Sequence, residues 1–364
     1  MLFSGMTVVA VLLIAPCASA APQQQQPESQ EQRQDTGADR VAEREERPAA
    51  VPTPSVTDTV TEGVAVPWDV AFLPGGSALV TERDSAMVQR VTPAGEVTEV
   101  AAIEDAVPGG EGGLLGITVS PDFEQNGHVF LYYTAAQDNR IVRMTYAEGN
   151  LTNPEPLVTG IEKGMIHNGG RIEFGPDGML YIGTGEAGNT DLSQDPNSLN
   201  GKILRVTPDG EPAPGNPNGD LIWSLGHRNV QGLAWDDEGN MWASELGQNT
   251  FDELNRIEPG SNYGWPICEG TCDDDGFVNP ELTWPTSEAS PSPLAFADGA
   301  LWMGALRGER LWGIEIAGGE VVGEPEAFFT GEHGRWRAIT PGGEGTFWVA
   351  TNSPDRILEL TLGE

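Results

Sequence analysis

Short apolar runs recur along the chain from about Ser55 onward, and turns rich in glycine, proline and aspartate separate them. One copy of the pattern has an apolar run at residues 170–174, a turn at residues 176–178 and a second apolar run at residues 179–183. Runs of this length between turn residues are typical of β-strands. The chain holds six such copies, whose first strands start at Trp68, Gly116, Gly170, Gly232, Ser292 and Arg337.

A repeat of about 45 to 60 residues that contains only short strands is typical of a β-propeller. We therefore predict an all-β, six-bladed propeller with four-stranded antiparallel blades. The sixth copy ends after its third strand, whereas residues 56–60 resemble the outer strands of other copies. This N-terminal strand is predicted to complete the last blade and close the ring, which leaves no open sheet edge.

Two segments precede the propeller, which we place at residues 55–364. Residues 1–20 resemble a secretory signal peptide, with an apolar stretch at residues 8–14 and a small-residue cleavage site at residues 18–20. Residues 21–54 are rich in Gln, Glu, Arg and Asp, which predicts a disordered linker. We expect an exported protein, periplasmic or secreted. Cleavage of the signal and a lipid anchor at Cys17 that tethers the protein to a membrane are both open.

The charge of the chain narrows its range of partners. The formal net charge is −36, with 55 acidic residues against 19 Lys and Arg. Double-stranded nucleic acid and anionic membrane surfaces are bound by basic surfaces, so neither is an expected partner. The acidity is expected to keep the protein soluble.

Cys268 and Cys272 form a closely spaced pair in a loop. A zinc site would need two further ligands, and no His or Cys lies near in sequence. In an exported protein the pair predicts a local disulfide, and two free thiols are the alternative.

Histidine is rare in this chain, and His167 lies between glycines at the entrance of a strand, where its ring can exchange a proton near neutral pH. A purely structural role is the alternative for one histidine beside a turn. The repeat pattern brings other polar residues to the same end of the central channel: Glu111, Glu186, Arg228, Asn229, Gly247, Gln248, Arg307, Arg335 and Arg337.

The four arginines of this set predict a cationic pocket for a ligand with several carboxylates. Pairing of single arginines with Glu309 or Glu332 is the alternative. The long loops at residues 245–253 and 260–266 are dense in glycine and oxygen ligands, as in calcium sites. A solvated turn explains the same residue content.

Several stretches together resemble one known family. They are residues 109–116 (GGEGGLLG), 120–123, His167 with its glycines, 197–205, 226–233, 262–266 (NYGWP) and 335–337 (RWR). The chain is similar, from about residue 66 to residue 362, to the soluble, PQQ-dependent sugar dehydrogenases of the glucose/sorbosone dehydrogenase family. Within that family it looks most like the aldose sugar dehydrogenase branch.

The resemblance implies a six-bladed propeller that holds pyrroloquinoline quinone (PQQ) over its channel and oxidises aldose sugars to lactones. His167 would be the general base that takes the proton of the anomeric hydroxyl, with Glu186 orienting it and Arg228 stabilising developing charge. An external electron acceptor would reoxidise the cofactor. The resemblance also implies roles for Glu111, Asn229, Arg307, Arg335 and Arg337 in binding PQQ, for the carbonyls of Gly247 and Gln248 in binding Ca²⁺, and for Glu253 and the Tyr263 carbonyl in a second Ca²⁺ site.

This sequence departs from the family pattern at four points. Glu111 stands where the glucose enzymes carry glutamine, Gln248 where they carry proline, and Arg307 where they carry lysine. The aromatic residues of their sugar pocket have no match at residues 287–293, so the identity of the sugar is open.

Two other functions remain as alternatives. A calcium-dependent lactonase on a propeller would use several acidic ligands around a channel metal, whereas this channel is predicted to be rich in arginine. A non-catalytic binding module is compatible with the fold, because fold does not determine function.

Overall fold

The computed structural model describes residues 51–343 and 345–363, and the predicted signal peptide, Cys17 and nearly all of the predicted linker lie outside them. Its strands are β1 (Pro54–Thr61), β2 (Pro67–Phe72), β3 (Ala78–Glu82), β4 (Met87–Val91), β5 (Val97–Ala102), β6 (Leu114–Val119), β7 (His128–Thr134), β8 (Asn139–Ala147), β9 (Asn150–Ile161), β10 (Ile172–Phe174), β11 (Leu180–Gly183), β12 (Lys202–Val206), β13 (Ile222–Leu225), β14 (Val230–Trp235), β15 (Met241–Glu245), β16 (Phe251–Ile257), β17 (Leu282–Pro285), β18 (Pro291–Ala297), β19 (Ala300–Ala305), β20 (Arg310–Ala317), β21 (Glu320–Val321), β22 (Glu326–Phe328), β23 (Arg335–Gly343), β24 (Thr346–Asn352) and β25 (Arg356–Leu362).

Helix is scarce in the described part of the chain. A single turn of α-helix, α1, spans Phe123–Asn126, and a 3₁₀ turn spans Thr190–Ser193. Among the described residues, no helix is long and apolar enough to cross a membrane.

The strands form six antiparallel sheets, as predicted. Five are consecutive in sequence, β2–β5, β6–β9, β10–β13, β14–β17 and β18–β21, and the sixth combines β23, β24 and β25 with β1. In the fifth sheet the outer position is shared, because β21 and β22 both pair with β20. The inner strands contact one another in the order β2, β6, β10, β14, β18, β23 and back to β2. The sheets are therefore the blades of a closed six-bladed propeller.

The N-terminal strand closes the ring where the sequence predicted. In β1, Pro54 lies opposite Leu362 of β25 and Thr61 lies opposite Ile357. The second strand β3 is buried along its whole length, whereas the outer strand β5 is largely exposed. Continuous apolar runs thus mark strands that are covered on both faces by neighbouring blades.

The apolar core lies between the blades. Six clusters of buried side chains join neighbouring blades, and Trp242, Trp302 and Trp336 are fully buried in them. Burial of each large apolar side chain contributes roughly 1.5–3 kcal/mol. This packing makes the channel wall rigid and fixes the loops at its mouth.

Candidate active site

A cavity of about 280 Å³ opens at one mouth of the channel. Its walls come from residues just before or at the start of inner strands and just after second strands, which meet at this end of every blade. The cavity is lined by Trp68, Arg83, Glu111, Gln231, Leu246, Ser290, Leu306, Arg307, Arg335 and Arg337. We call it the arginine-lined cavity.

His167 borders this cavity through Glu111. The Oε2 atom of Glu111 accepts a hydrogen bond from the backbone amide of His167 at 2.7 Å. The backbone of His167 is left-handed, with φ of 55°, and its carbonyl accepts from the Ala187 amide at 3.0 Å. A Cβ atom at Gly185 would lie 2.0 Å from that carbonyl oxygen. Only glycine at position 185 therefore allows the chain to approach His167 so closely.

The imidazole of His167 lies between an acid and a cation. Its Nδ1 contacts Oε1 of the buried Glu186, and its Nε2 lies 2.8 Å from Nη2 of Arg228. Arginine can only donate, so Nε2 accepts and the ring proton resides on Nδ1, facing Glu186. The ring is thus a neutral imidazole with its lone pair on Nε2, which is the form a general base requires.

Arg228 joins the imidazole to the cavity wall. Its Nη1 donates to the carbonyl of Leu246 at 2.9 Å, and its guanidinium lies 5.5 Å from the ring centre of Trp265. Burial lowers the pKa of Arg228, and the carboxylates of Glu186, Glu245 and Glu111 oppose that shift. The side chain is therefore a buried positive charge held beside the imidazole.

Two buried donors at this site have no protein partner among the described residues. They are Nε of Arg228 and Nδ2 of Asn229. Asn229 is held in place because its Oδ1 accepts from the Gly169 amide at 2.9 Å. Buried polar groups usually find a partner, so these donors point to a polar ligand.

The predicted arginines Arg307, Arg335 and Arg337 all line the cavity. Burial lowers the pKa of Arg337 to about 9, and the nearby charges of Arg335, Arg83 and Arg171 add to this. Across residues 51–343 and 345–363, neither these three arginines nor Arg228 forms an ion pair, so the alternative pairing with Glu309 or Glu332 is wrong for this structure.

Arg83 is a fourth cavity arginine that the sequence analysis missed. It follows β3 directly, at the same place in its blade as Leu246 after β15 and Leu306 after β19. Its Nε donates to the neighbouring Asp84 at 2.6 Å at the rim of the site. The phase of the repeat was the signal that could have revealed it.

A second histidine–glutamate pair lies behind Arg228. Nδ1 of His227 is 2.8 Å from Oε2 of Glu245, and its Nε2 is 2.8 Å from Oγ of Ser224. The ring stacks on Tyr263 with centroids 4.7 Å apart and is fully buried. Glu245 also accepts from the Arg228 amide, so this pair supports the backbone of the site.

The predicted calcium ligands lie on the turn at residues 247–251 and beside it. The Gly247 amide donates to Oδ1 of Asp252 at 2.8 Å, and a Cβ atom at Gly247 would lie 1.7 Å from the Phe251 carbonyl oxygen. Glycine at position 247 therefore allows the turn to close. Within the described ranges, no group of three or more His, Cys, Asp or Glu is arranged to hold a metal ion.

Glu253 is half-buried beside this turn. Its Oε1 accepts from the Gly270 amide at 2.7 Å, and its Oε2 accepts from Nδ2 of Asn255 at 3.2 Å. Burial raises the pKa of Glu253 to about 8, and the nearby charge of Glu245 adds to the shift. Cys268 and Cys272 form a disulfide next to it, and the alternative of two free thiols is wrong for this structure.

The sequence of this propeller matches a known family over most of its length. Residues 64–359 match the family described as Glucose / Sorbosone dehydrogenase. The chain belongs to this family. The resemblance predicted from the motifs is thereby confirmed, and with it membership of an oxidoreductase family.

The chain is also similar to several proteins that are named as dehydrogenases or oxidoreductases. The PQQ-bound aldose sugar dehydrogenase of Streptomyces coelicolor is 52% identical, with a TM-score of 0.85 over 86% of this chain and 99% of that one. A putative oxidoreductase (glucose dehydrogenase) of Thermus thermophilus is 38% identical, with a TM-score of 0.79 over 85% of this chain and 100% of that one. The aldose sugar dehydrogenase of Escherichia coli is 29% identical over 334 residues, 81% of this chain and 90% of the relative.

Within this family member, the predicted site residues divide into two groups. His167 contacts Glu111, Glu186 and Arg228 directly, Arg307, Arg335 and Arg337 line the cavity, and the Asn229 carbonyl accepts from the amide of the cavity residue Leu246. Gly247 and Gln248 lie on the turn that follows the cavity residue Leu246, while Glu253 and Tyr263 are absent from the cavity wall. The roles of all twelve remain predictions.

Proposed function

We propose that this protein oxidises aldose sugars at the anomeric carbon to lactones, with PQQ as hydride acceptor and an external electron acceptor. The observation that carries the proposal is the set of contacts of His167, whose Nδ1 meets Glu186, whose Nε2 meets Arg228 and whose backbone amide donates to the cavity residue Glu111. The relative from Streptomyces coelicolor, described as PQQ-bound, supports the choice of cofactor.

The residues of the cavity fit PQQ. Three of its four arginines, Arg307, Arg335 and Arg337, form no ion pair among the described residues, and a planar quinone with several carboxylates would pair with them. The unpartnered donors of Arg228 and Asn229 would reach its polar edge. When bound, PQQ would supply a site that accepts the hydride of the sugar C1.

His167 would take the proton of the anomeric hydroxyl on Nε2 while the C1 hydride leaves. The substrate hydroxyl would replace Arg228 as the group that donates to this lone pair. Glu186 would hold Nδ1–H and stabilise the imidazolium that forms. Arg228 would then offer its positive charge to the oxygen on which negative charge accumulates.

The proposal includes calcium at two places on this chain. The carbonyls of Gly247 and Gln248 would hold an ion that polarises the cofactor. Glu253 and the Tyr263 carbonyl would hold a second, structural ion. Oδ1 of Asn255 is buried next to Glu253 and has no partner among the described residues, and a cation there would satisfy it.

Location follows from the N-terminal segment alone. We propose that the signal at residues 1–20 directs export to the periplasm or the medium, and that the protein transfers electrons to its acceptor there.

The test uses purified apoprotein, PQQ and excess calcium, with dye reduction followed over a panel of aldoses. We expect saturable activity in the wild type and its loss in His167→Ala. Activity that is absent with every sugar would reject the proposal. Lactone hydrolysis that needs calcium but no quinone would instead establish the lactonase.

A further inference from the structure

Glu269 makes an unusual set of contacts with the turn at residues 247–251. Its Oε1 accepts from four consecutive backbone amides: those of Gln248 at 2.7 Å, Asn249 at 2.9 Å, Thr250 at 2.9 Å and Phe251 at 3.3 Å. Such a ring of amides around one anion is a nest, in which the anion fixes the direction of every peptide plane.

The contacts with Glu269 determine where two predicted calcium ligands point. The carbonyl of Gly247 belongs to the same peptide plane as the Gln248 amide, and the carbonyl of Gln248 to the same plane as the Asn249 amide. In a planar trans peptide, the C=O points opposite to the following N–H. Because both amides point at Glu269, both carbonyls point away from it.

The same hydrogen bonds strengthen these carbonyls as ligands. A peptide whose N–H donates to an anion becomes more polarised, and its carbonyl oxygen carries more negative charge. Hard cations such as Ca²⁺ bind through charge on oxygen. Glu269 therefore acts on the two carbonyls in both direction and strength, without touching the ion.

Glu269 is itself held by the disulfide loop, residues 268–272. The disulfide between Cys268 and Cys272 closes the loop around it. On one side the Cys268 amide donates to the Gly264 carbonyl at 2.9 Å, and on the other the Gly270 amide donates to Glu253 of β16 at 2.7 Å. A Cβ atom at Gly270 would lie 2.7 Å from the Phe251 ring, so glycine lets the loop pack on the turn.

We propose that Glu269 is a positioning residue that orients the Gly247 and Gln248 carbonyls toward Ca²⁺, and that the Cys268–Cys272 disulfide holds it in place. The calcium part of this inference rests on the proposed function, whereas the ordering of the turn does not. Reduction of the disulfide then weakens calcium-dependent cofactor binding.

The first measurement is hydrogen exchange of the amides at residues 248–251 in apoprotein, which needs neither quinone nor calcium. We expect exchange at least about 10-fold faster in Glu269→Ala than in the wild type, because four hydrogen bonds to the amides are lost. Glu269→Gln keeps one acceptor oxygen and should fall between them. Asp275→Asn, an exposed neutral substitution in the following segment, is the matched control and should exchange as the wild type does.

The second measurement is the calcium concentration at half-saturation of PQQ binding, followed by quenching of tryptophan fluorescence. We expect this calcium concentration to rise about 10-fold in Glu269→Ala. It should rise about 3-fold in Glu269→Gln and in the double variant Cys268→Ser/Cys272→Ser. Because the ligand carbonyls are misdirected but intact, kcat at saturating calcium should stay within about 2-fold of wild type. Reduction of the wild-type disulfide should match the double variant.

The outcomes separate the two proposals. If Glu269→Ala folds and its amides exchange at the wild-type rate, the positioning role is wrong. Faster exchange with an unchanged calcium requirement would overturn the calcium part. If the wild type binds no PQQ at any calcium concentration, the proposed function fails, while the exchange data still decide whether Glu269 orders the turn.

Discussion

Two histidine–glutamate pairs lie on either side of Arg228, and they differ in the group that contacts Nε2 of the histidine. In both, Nδ1 faces a buried carboxylate, Glu186 for His167 and Glu245 for His227. Nε2 of His227 is closed off by Ser224, and its ring is fully buried against Tyr263. Nε2 of His167 instead faces the Arg228 side chain, which also donates to the carbonyl of the cavity residue Leu246.

The comparison shows that a buried histidine–glutamate pair does not by itself mark a catalytic base. In His227 both ring nitrogens contact buried protein groups, and the pair stabilises the loop that carries Arg228. In His167 the partner of Nε2, Arg228, also contacts the cavity residue Leu246, and in the proposed function a substrate hydroxyl would take the place of Arg228. The predictions below test this difference.

Substitution of His167 is expected to have the largest effect. His167→Ala should lower kcat for aldose oxidation by roughly 10³-fold, as expected for loss of a general base. Steady-state dye reduction checks this. Activity within about 10-fold of wild type would mean that His167 is structural, like His227.

Substitution of His227 should act on stability instead. His227→Phe keeps a ring to stack on Tyr263 but leaves Glu245 and Ser224 without their partner, so the free energy of unfolding should fall by about 3 kcal/mol. Urea denaturation measures this. A loss of kcat as large as that of His167→Ala, in a protein of normal stability, would remove the distinction between the two pairs.

Glu186→Gln should have a smaller effect on the rate. The amide oxygen can still accept from Nδ1–H, but it has no charge to stabilise the imidazolium, so kcat should fall roughly 10- to 30-fold. Glu245→Gln is the matched control, and its effect should appear in unfolding rather than in kcat. Equal losses of kcat in both variants would contradict the comparison.

The smallest expected effect concerns Lys202, which supports the segment beside His227. Its Nζ is buried and donates to three carbonyls, those of Leu192 at 2.7 Å, Ser193 at 3.0 Å and Asn200 at 2.7 Å. Ser193 in turn donates to the His227 carbonyl at 2.6 Å. Lys202 therefore connects the 3₁₀ turn to the structural histidine.

Burial lowers the pKa of Lys202 from 10.5 to about 8. Between these values the unfolded chain binds more protons than the folded one, so the Lys202 contribution to stability should increase as pH rises from about 8 to 10.5. The slope cannot exceed about 1.4 kcal/mol per pH unit for one proton. Chemical unfolding of wild type and Lys202→Met across this window isolates it, and a difference that falls with rising pH would contradict the assignment.

The propeller fold could be predicted from the sequence because the patterns that indicate it lie within short stretches of the chain. Strand lengths, turn residues and the repeat recur in every blade, and the ring closure by β1 followed from a missing fourth strand. The same phase argument placed the arginines Arg307, Arg335 and Arg337 at one mouth, and the structure brings them to one cavity.

The rest depended on side-chain contacts that no periodic pattern encodes. Glu111 was predicted to bind the cofactor, yet its Oε2 is bonded to the backbone of His167. Arg83 is followed directly by Asp84, a neighbour that in sequence suggests an ordinary surface pair. Glu269 reaches amides about 20 residues earlier in the chain, and only the folded loop shows which amides they are.

Ring closure by β1 also has a consequence for how the protein is made. Thr57 and Glu359, which are bonded across this closure, are 302 residues apart in sequence. The entropy of closing so long a loop exceeds that of a loop one tenth as long by only about 2 kcal/mol, so the late junction is thermodynamically inexpensive. Its timing is strict, however, because β23, which carries Arg335 and Arg337, and β25, the partner of β1, follow all the other described blades in sequence. A nascent chain can hold His167 and Glu186 long before it has these two cavity arginines, and a chain truncated before β23 never gains them.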